Sequence, residues 1–319
     1  MALGVRGIAI GCWTSPAAVS GCTVVLPPAG TVGALAVGGS APGTREAAAL
    51  SPRGKVDTCH AVVLSGGSAY GLAAADGVMS WLEARGVGYP VRDAVVPIVG
   101  AAIVLDGAVF AADQRPDAAA GHAACDAAVL ADPAEGRVGA GSGCSVAKVA
   151  GLAHARPGGQ GIAVRQAAGV TVGAIVVNNA VGEIVANDGT LLVAADVPAG
   201  TPRYPAADMA SFDAPDRLDA ASNTAIGCIV TDAVLTKAEA FRVAELAHAG
   251  IDRAVRPAHT QFDGDALFCL ATGTVHGNVD LVADLARAAV AAAARRGPVA
   301  SGTPTSGGPA GDRAARSAP

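Results

Sequence analysis

The sequence predicts an α/β protein, and three observations carry that reading. Hydrophobic residues make up 51% of the 319 residues, enough to bury a large core in one or two domains, and aromatic residues are only 3%. With 42 glycines and 19 prolines, the chain can make many tight connections between short elements. Short apolar runs suited to strands buried on both faces alternate with segments of helical spacing.

In chain order, the first such strand spans Ala61 to Leu64. It opens LSGGSAYGLAAADG (Leu64 to Gly77), a strand, a glycine turn and a helix. Amides at such a junction can face an anion or a reacting oxygen, which makes Gly66, Gly67 and Ser68 substrate-binding candidates; the alternative is a turn of small residues for close packing. It is not a nucleophile elbow, because G-x-S-x-G would need glycine where Tyr70 stands. Further strands are expected at Ile103 to Leu105, Val172 to Val177, Ile226 to Val230 and Leu267 to Leu270. Thr236 to Val255 reads as a helix: Thr236 and Glu239 form a capping box, Phe241, Ala244, Ala247, Ile251 and Ala254 make an apolar stripe, and Pro257 stops it. Asn278 to Arg296, with a basic last turn, should be the last ordered helix. From Gly297 the composition is too poor in bulky apolar residues to offset its ordering entropy, so 297–319 is expected to be a disordered tail. Pro198 to Ser222 is a long polar connection rich in proline and aspartate, and no internal repeat is convincing.

Several partner classes are set aside. No run reaches the roughly 18 to 20 uninterrupted apolar residues of a spanning helix; Gly169 to Ala186 comes nearest and is broken by Asn178, Asn179 and Glu183. The N-terminal stretch makes a poor signal peptide, so a cytoplasmic location is the default expectation. A net charge of -5 with scattered Lys and Arg argues against nucleic acid. Seven cysteines without a CxxC pair argue against a disulfide framework or zinc ribbon, and six dispersed histidines against any metal site.

Three further motifs carry polar chemistry. GRVGAGSGCSVAKVAG (Gly136 to Gly151) lacks the G-K-[ST] of a phosphate loop, so Lys148 is either a solvated lysine or a positive charge beside a reacting group. Asn178 and Asn179 end an apolar strand, where an amide could donate to an oxyanion or simply close a turn. HTQFDGDALFCLATG (His259 to Gly273) places Asp263 and Asp265 on one side of an extended segment, able to hold a metal or an amine or to form only a turn.

Taken in order, six blocks resemble the DmpA family of β-aminopeptidases and related self-cleaving hydrolases: SGCTVVLPPAGTVGALAVGGSAPGTRE, VVLSGGSAYGLAAADGVMSWLEARG, VGAGSGCSVAK, AIVVNNAVGEI, SNTAIGCIVTDAVLTKAEA and RPAHTQFDGDALFCLATG. The resemblance covers roughly residues 5 to 290. It implies a four-layer αββα sandwich of the DmpA and ornithine acetyltransferase-like type, a single domain over 1–296, usually a homo-oligomer, and self-cleavage between Asn223 and Thr224 into fragments 1–223 and 224–296 plus tail. The Asn-Thr junction is more like the threonine members, the nylon-oligomer and pantetheine hydrolases, than the serine aminopeptidases. By the same resemblance Thr224 is the nucleophile, Asn179 (or its neighbour Asn178) the oxyanion donor, Lys148 the catalytic lysine, and Asp263 and Asp265 the carboxylates that tune the Thr224 amine. The implied activity is hydrolysis of a small peptide or ω-amino acyl amide, with no metal or organic cofactor. The rivals are an acyltransferase of the ornithine acetyltransferase type and an uncleaved binding protein. Two positions depart from the family pattern: Leu105 stands where some relatives have tyrosine, and Cys12 where histidine is expected.

Overall fold

Two five-stranded sheets form the centre of the computed structural model, which describes residues 1–201 and 223–302. The first contains β1 (Ala9–Thr14), β2 (Gly21–Leu26), β4 (Thr44–Arg45), β5 (Ala61–Ser65) and β6 (Val99–Ile103), in the order β1-β2-β5-β6-β4. The second contains β3 (Val32–Val37), β7 (Gly159–Ala167), β8 (Val170–Asn179), β9 (Thr224–Ala233) and β10 (Ala266–Val275), in the order β7-β8-β9-β10-β3. Among the described residues four α-helices flank them: α1 (Ala74–Glu83), α2 (Ala118–Asp126), α3 (Lys237–Asp252) and α4 (Val279–Gly302).

Both sheets are built the same way. A hairpin (β1/β2 or β7/β8) pairs antiparallel with a third strand, which pairs parallel with a fourth through a helical crossover, β5-α1-β6 in one sheet and β9-α3-β10 in the other. Parallel neighbours require such a crossover, and each crossover helix covers the sheet it leaves. The next helix returns over the hairpin, α2 onto β1 and β2, α4 onto β7 and β8. The two halves share a topology although no sequence repeat links them.

Burial divides into three apolar cores, and these define the four layers. One lies between α1, α2 and the first sheet, with Val24, Val63, Val78 and Ala124. One lies between the sheets, with Val62, Leu64, Ile175, Ile226, Phe268 and Leu270. The third lies between the second sheet and α3 and α4, with Val176, Ile229, Leu267, Val243 and Val290. Residues an odd number of positions apart on a strand face opposite sides, so Ile226 and Phe268 serve the inter-sheet core and Ile229 and Leu267 the outer one. Both faces being covered explains why these strands read as unbroken apolar runs.

The expected strand at Ile103 to Leu105 is corrected. The strand is Val99–Ile103, and its sequence VGAAI is a weak hydrophobic signal because the site is crowded. A Cβ on Gly100 would stand 2.6 Å from the Phe268 ring and 2.7 Å from Leu50. Helix α3 is capped as expected, with Thr236 accepting from the Glu239 amide and Glu239 returning the bond, and it ends at Asp252 because Val255 pairs with Ile184 instead.

The last helix runs to Gly302, not Arg296, with Gly297 and Pro298 buried. Two contacts carry it past a proline. Gly297 lies so close to β7 that a Cβ would meet the Gly159 carbonyl oxygen at 2.5 Å. Pro298 lacks the N–H that would bond the Ala294 carbonyl one turn back, and Asn178 Nδ2 donates to that carbonyl at 2.8 Å. The disordered tail expected over 297–319 is thus corrected for 297–302, which are helical, and its remainder lies outside the described residues, as does the Pro198 to Ser222 connection beyond Thr201. No helix among the described residues is long and apolar enough to cross a membrane.

Candidate active site

Thr224 is the first residue of β9 and is buried. Across one edge it pairs with Asn179, the last residue of β8; on the other, Asn223 forms a parallel bridge with Asp263 just before β10. These pairings bring three distant segments to one end of the central sheet. The Asn223 carbonyl, which precedes Thr224, receives two bonds. The Thr224 hydroxyl donates to it at 2.5 Å, and the Gly264 amide at 3.0 Å. A hydroxyl and an amide N–H thus converge on one peptide carbonyl.

Gly264 is required there. A Cβ at this position would stand 2.7 Å from the Ala41 carbonyl oxygen and 3.2 Å from Thr224 Oγ1. The flanking aspartates are both buried but differ in role. Asp265 accepts from the Ala225 amide through Oδ1 (2.5 Å) and faces His259 Nδ1 through Oδ2 (2.6 Å). Asp263 accepts from the Thr260 amide through Oδ2 (2.6 Å), while its Oδ1 and the side-chain amide of Asn223 are buried with no partner among the described residues. Burial first, and the charge of Asp265 second, push the Asp263 carboxyl up to about 6.

Lys148 is buried. Its amide bonds the Val181 carbonyl, and its ammonium donates at 2.7 Å to the backbone carbonyl of Asn179, the residue opposite Thr224. Burial lowers the lysine to about 8, against the opposing charge of Asp263. The solvated-lysine reading is therefore excluded by the structure.

The two asparagines separate cleanly. Asn178 turns toward α4, with Nδ2 on Ala294, and Oδ1 accepts from the Ala180 amide. Asn179, one residue on, faces the other side with Thr224. Its Oδ1 accepts from the Ser145 amide and its Nδ2 donates to the Leu105 carbonyl, both at 2.9 Å. Leu105 thus contributes its backbone, whatever its side chain does to the substrate space.

Gly66, Gly67 and Ser68 lie one strand from Leu105, joined through the bond from the Val104 amide to the Ser65 carbonyl. Their amides are not waiting donors: they bond the Gly21 carbonyl, Asp106 Oδ1 and the Val104 carbonyl respectively. A Cβ on Gly66 would collide with Asp106 and Ser20, which favours the close-packing reading of this turn.

Two further groups at the site carry little sequence signal: Gly264 stands only as the glycine between two aspartates, and His259 lacks metal spacing although it lies six positions before Asp265 in the same block.

Comparison with known proteins supplies the context. A family model described as Peptidase family S58 matches residues 3–301. An uncharacterized aminopeptidase of Mycobacterium bovis (strain ATCC BAA-935 / AF2122/97) is 45% identical over 262 residues, covering 80% of this chain and 74% of the relative. A 6-aminohexanoate-oligomer endohydrolase of Agromyces sp. (strain KY5R) is 34% identical over 272 residues, covering 84% and 74%. Among solved structures, a beta-aminopeptidase of Burkholderia sp. superposes with a TM-score of 0.69 at 21% identity, covering 94% of this chain and 85% of that one. The l-aminopeptidase d-ala-esterase/amidase of Ochrobactrum anthropi, described as a variant of the Ntn hydrolase fold, gives 0.67 at 19%, covering 95% and 87%.

Proposed function

The chain belongs to peptidase family S58, a family of aminopeptidase and amidase hydrolases, and on that premise we propose that it cuts itself between Asn223 and Thr224 and then hydrolyses small amides with Thr224 as N-terminal nucleophile. One observation carries the proposal: the Thr224 hydroxyl and the Gly264 amide meet at the Asn223 carbonyl, inside a ring of Lys148, Asn179, Asp263 and Asp265. In the first reaction Thr224 Oγ1 attacks the Asn223 carbonyl carbon, and Gly264 N–H stabilises the oxyanion. The C–N bond breaks, the Thr224 nitrogen leaves as an α-amine, and water opens the Asn223 ester to a carboxylate.

The freed amine then serves as base for its own hydroxyl. Its reference pKa of about 7.7 to 8 leaves it partly neutral near physiological pH, where an ordinary lysine is not. The buried Oδ1 of Asp263, without a partner among the described residues, is the acceptor for this new ammonium, and Asp265 holds the adjoining backbone. Attack on a substrate amide gives a threonyl ester and releases an amine; water regenerates the enzyme. Asn179 and Lys148 are assigned to the oxyanion, where a cation in a buried site acts more strongly than in water. Gly66, Gly67 and Ser68 are assigned to the substrate cleft as its wall, since their amides are already bonded. The substrate class is a short peptide or ω-amino acyl amide, supported by the likeness to the 6-aminohexanoate-oligomer endohydrolases.

Intact mass spectrometry of the purified chain tests the reading. Two fragments, the second beginning at Thr224, are expected, and Thr224→Ala should leave one uncleaved, inactive chain. A single uncleaved species with amidase activity would sink the proposal.

A further inference from the structure

Two histidines lie beneath the reacting strand. His259 Nδ1 faces Asp265 Oδ2 at 2.6 Å, and its Nε2 faces the His248 carbonyl oxygen at 3.2 Å. Beside an Asp265 carboxylate both ring nitrogens face acceptors; a neutral imidazole can donate to only one of them, and an imidazolium satisfies both. The other carboxylate oxygen of Asp265 receives the Ala225 amide, the next backbone donor after Thr224. His248 packs edge-on against His259, with ring centroids 4.9 Å apart, and bonds the Ala36 carbonyl through Nε2 at 3.1 Å. Gly38 makes room for that ring, since a Cβ there would stand 2.4 Å from His248 Nδ1. The His259 backbone has φ +52, a conformation uncommon for a residue with a side chain, so local preference alone does not place it.

We propose that His259 is a positioning residue: as an imidazolium it holds Asp265 oriented on the Ala225 amide, and so holds the backbone that presents Thr224. The inference rests on Thr224 being the reacting residue. The groups facing His259 are Asp265 and Asp263 from its own loop and His248 and Asp252 from α3. Burial alone would lower the ring; the hydrogen bond and charge of Asp265 outweigh it and raise it to about 9. His248 is held low, by burial first and by the His259 charge among the other causes, so one cation suffices for the pair. Because the folded value lies above the ordinary 6.5, the stability His259 contributes is complete below pH 6.5 and is lost as pH rises through about 9.

The experiment is an NMR titration of the full chain carrying Thr224→Ala, labelled at histidine and alanine, with His259 assigned by comparison with a chain that also carries His259→Gln. His259 is expected to remain doubly protonated at neutral pH and to titrate near 9, and the Ala225 amide signal should move with the same midpoint and stop doing so in His259→Gln. In the otherwise native enzyme, His259→Gln should lower kcat for amide hydrolysis by about 10- to 100-fold with KM changed less than about threefold, as misplacement of a reacting group predicts. A His259 that titrates at or below 6.5, an Ala225 signal blind to it, or a folded His259→Gln enzyme with unchanged kcat would each overturn the inference. Should His259→Gln fail to fold, the ring titration in Thr224→Ala alone decides. Failure here is separable from failure of the nucleophile reading: the titration is read in an uncleaved chain, whereas the nucleophile is judged by fragment mass.

Discussion

Gly264 acts through its backbone alone. Its amide reaches the Asn223 carbonyl because nothing on its Cα obstructs Ala41 or Thr224. Gly264→Ala should therefore slow the proposed self-cleavage by about 100-fold, since the proposed oxyanion donor and the hydroxyl beside it would both be displaced. A time course of fragment formation in freshly made protein reads this directly, and an unchanged rate would remove the amide from the mechanism. At this scale much was legible. The D-G-D spacing placed two carboxylates on one side of a segment, and the resemblance supplied Lys148 and Asn179. The residues alone did not say which of Asn178 and Asn179 faces the Thr224 side, because adjacent strand residues point to opposite faces and only the packing of α4 says which face is which. His259 was missed because its role depends on the His248 carbonyl, on another element.

Helix α4 shows how an element can contradict its own composition. Glycine, proline and an absence of bulky residues argued for its end at Arg296, yet Gly297 seats it on β7 and Asn178 replaces the hydrogen bond that Pro298 removes. Asn178→Leu should destabilise the fold by about 1–3 kcal/mol, the cost of leaving the Ala294 carbonyl buried and unpaired. In a Pro298→Ala background residue 298 recovers its N–H, and the same substitution should cost less. A double-mutant cycle in denaturant melts isolates that coupling, because the bond from the Ala180 amide to Asn178 Oδ1 is lost in both backgrounds. Strict additivity would show that Ala294 does not link the two residues. The capping box of α3, by contrast, was readable in full, since every atom it needs lies within four consecutive residues.

For the whole molecule, the decisive feature is the seam between the sheets. Phe268 is a large, fully buried side chain in the inter-sheet core and lies against Gly100 of the opposite sheet. Phe268→Ala should cost about 3–5 kcal/mol, as deletion of a large core ring does, and calorimetry or chemical melts would measure it. A cost below about 1 kcal/mol would mean that the seam can collapse around the loss. Taken alone, the sequence determined four of the buried strands, those at Ala61 to Leu64, Val172 to Val177, Ile226 to Val230 and Leu267 to Leu270, where α3 begins, and which residue types stand ready for chemistry at a loop-to-strand junction. These depend on periodicity and on neighbours a few residues apart. Only the tertiary structure decided that β9 lies between β8 and β10, so that Lys148, Asn179, Thr224 and the Asp263–Asp265 turn meet. It also decided that Leu105 lends a carbonyl and that His259 stands behind Asp265. Hydrophobic pattern tells a residue that it will be buried; it does not tell it against what, because that is set by pairings between segments far apart in the chain.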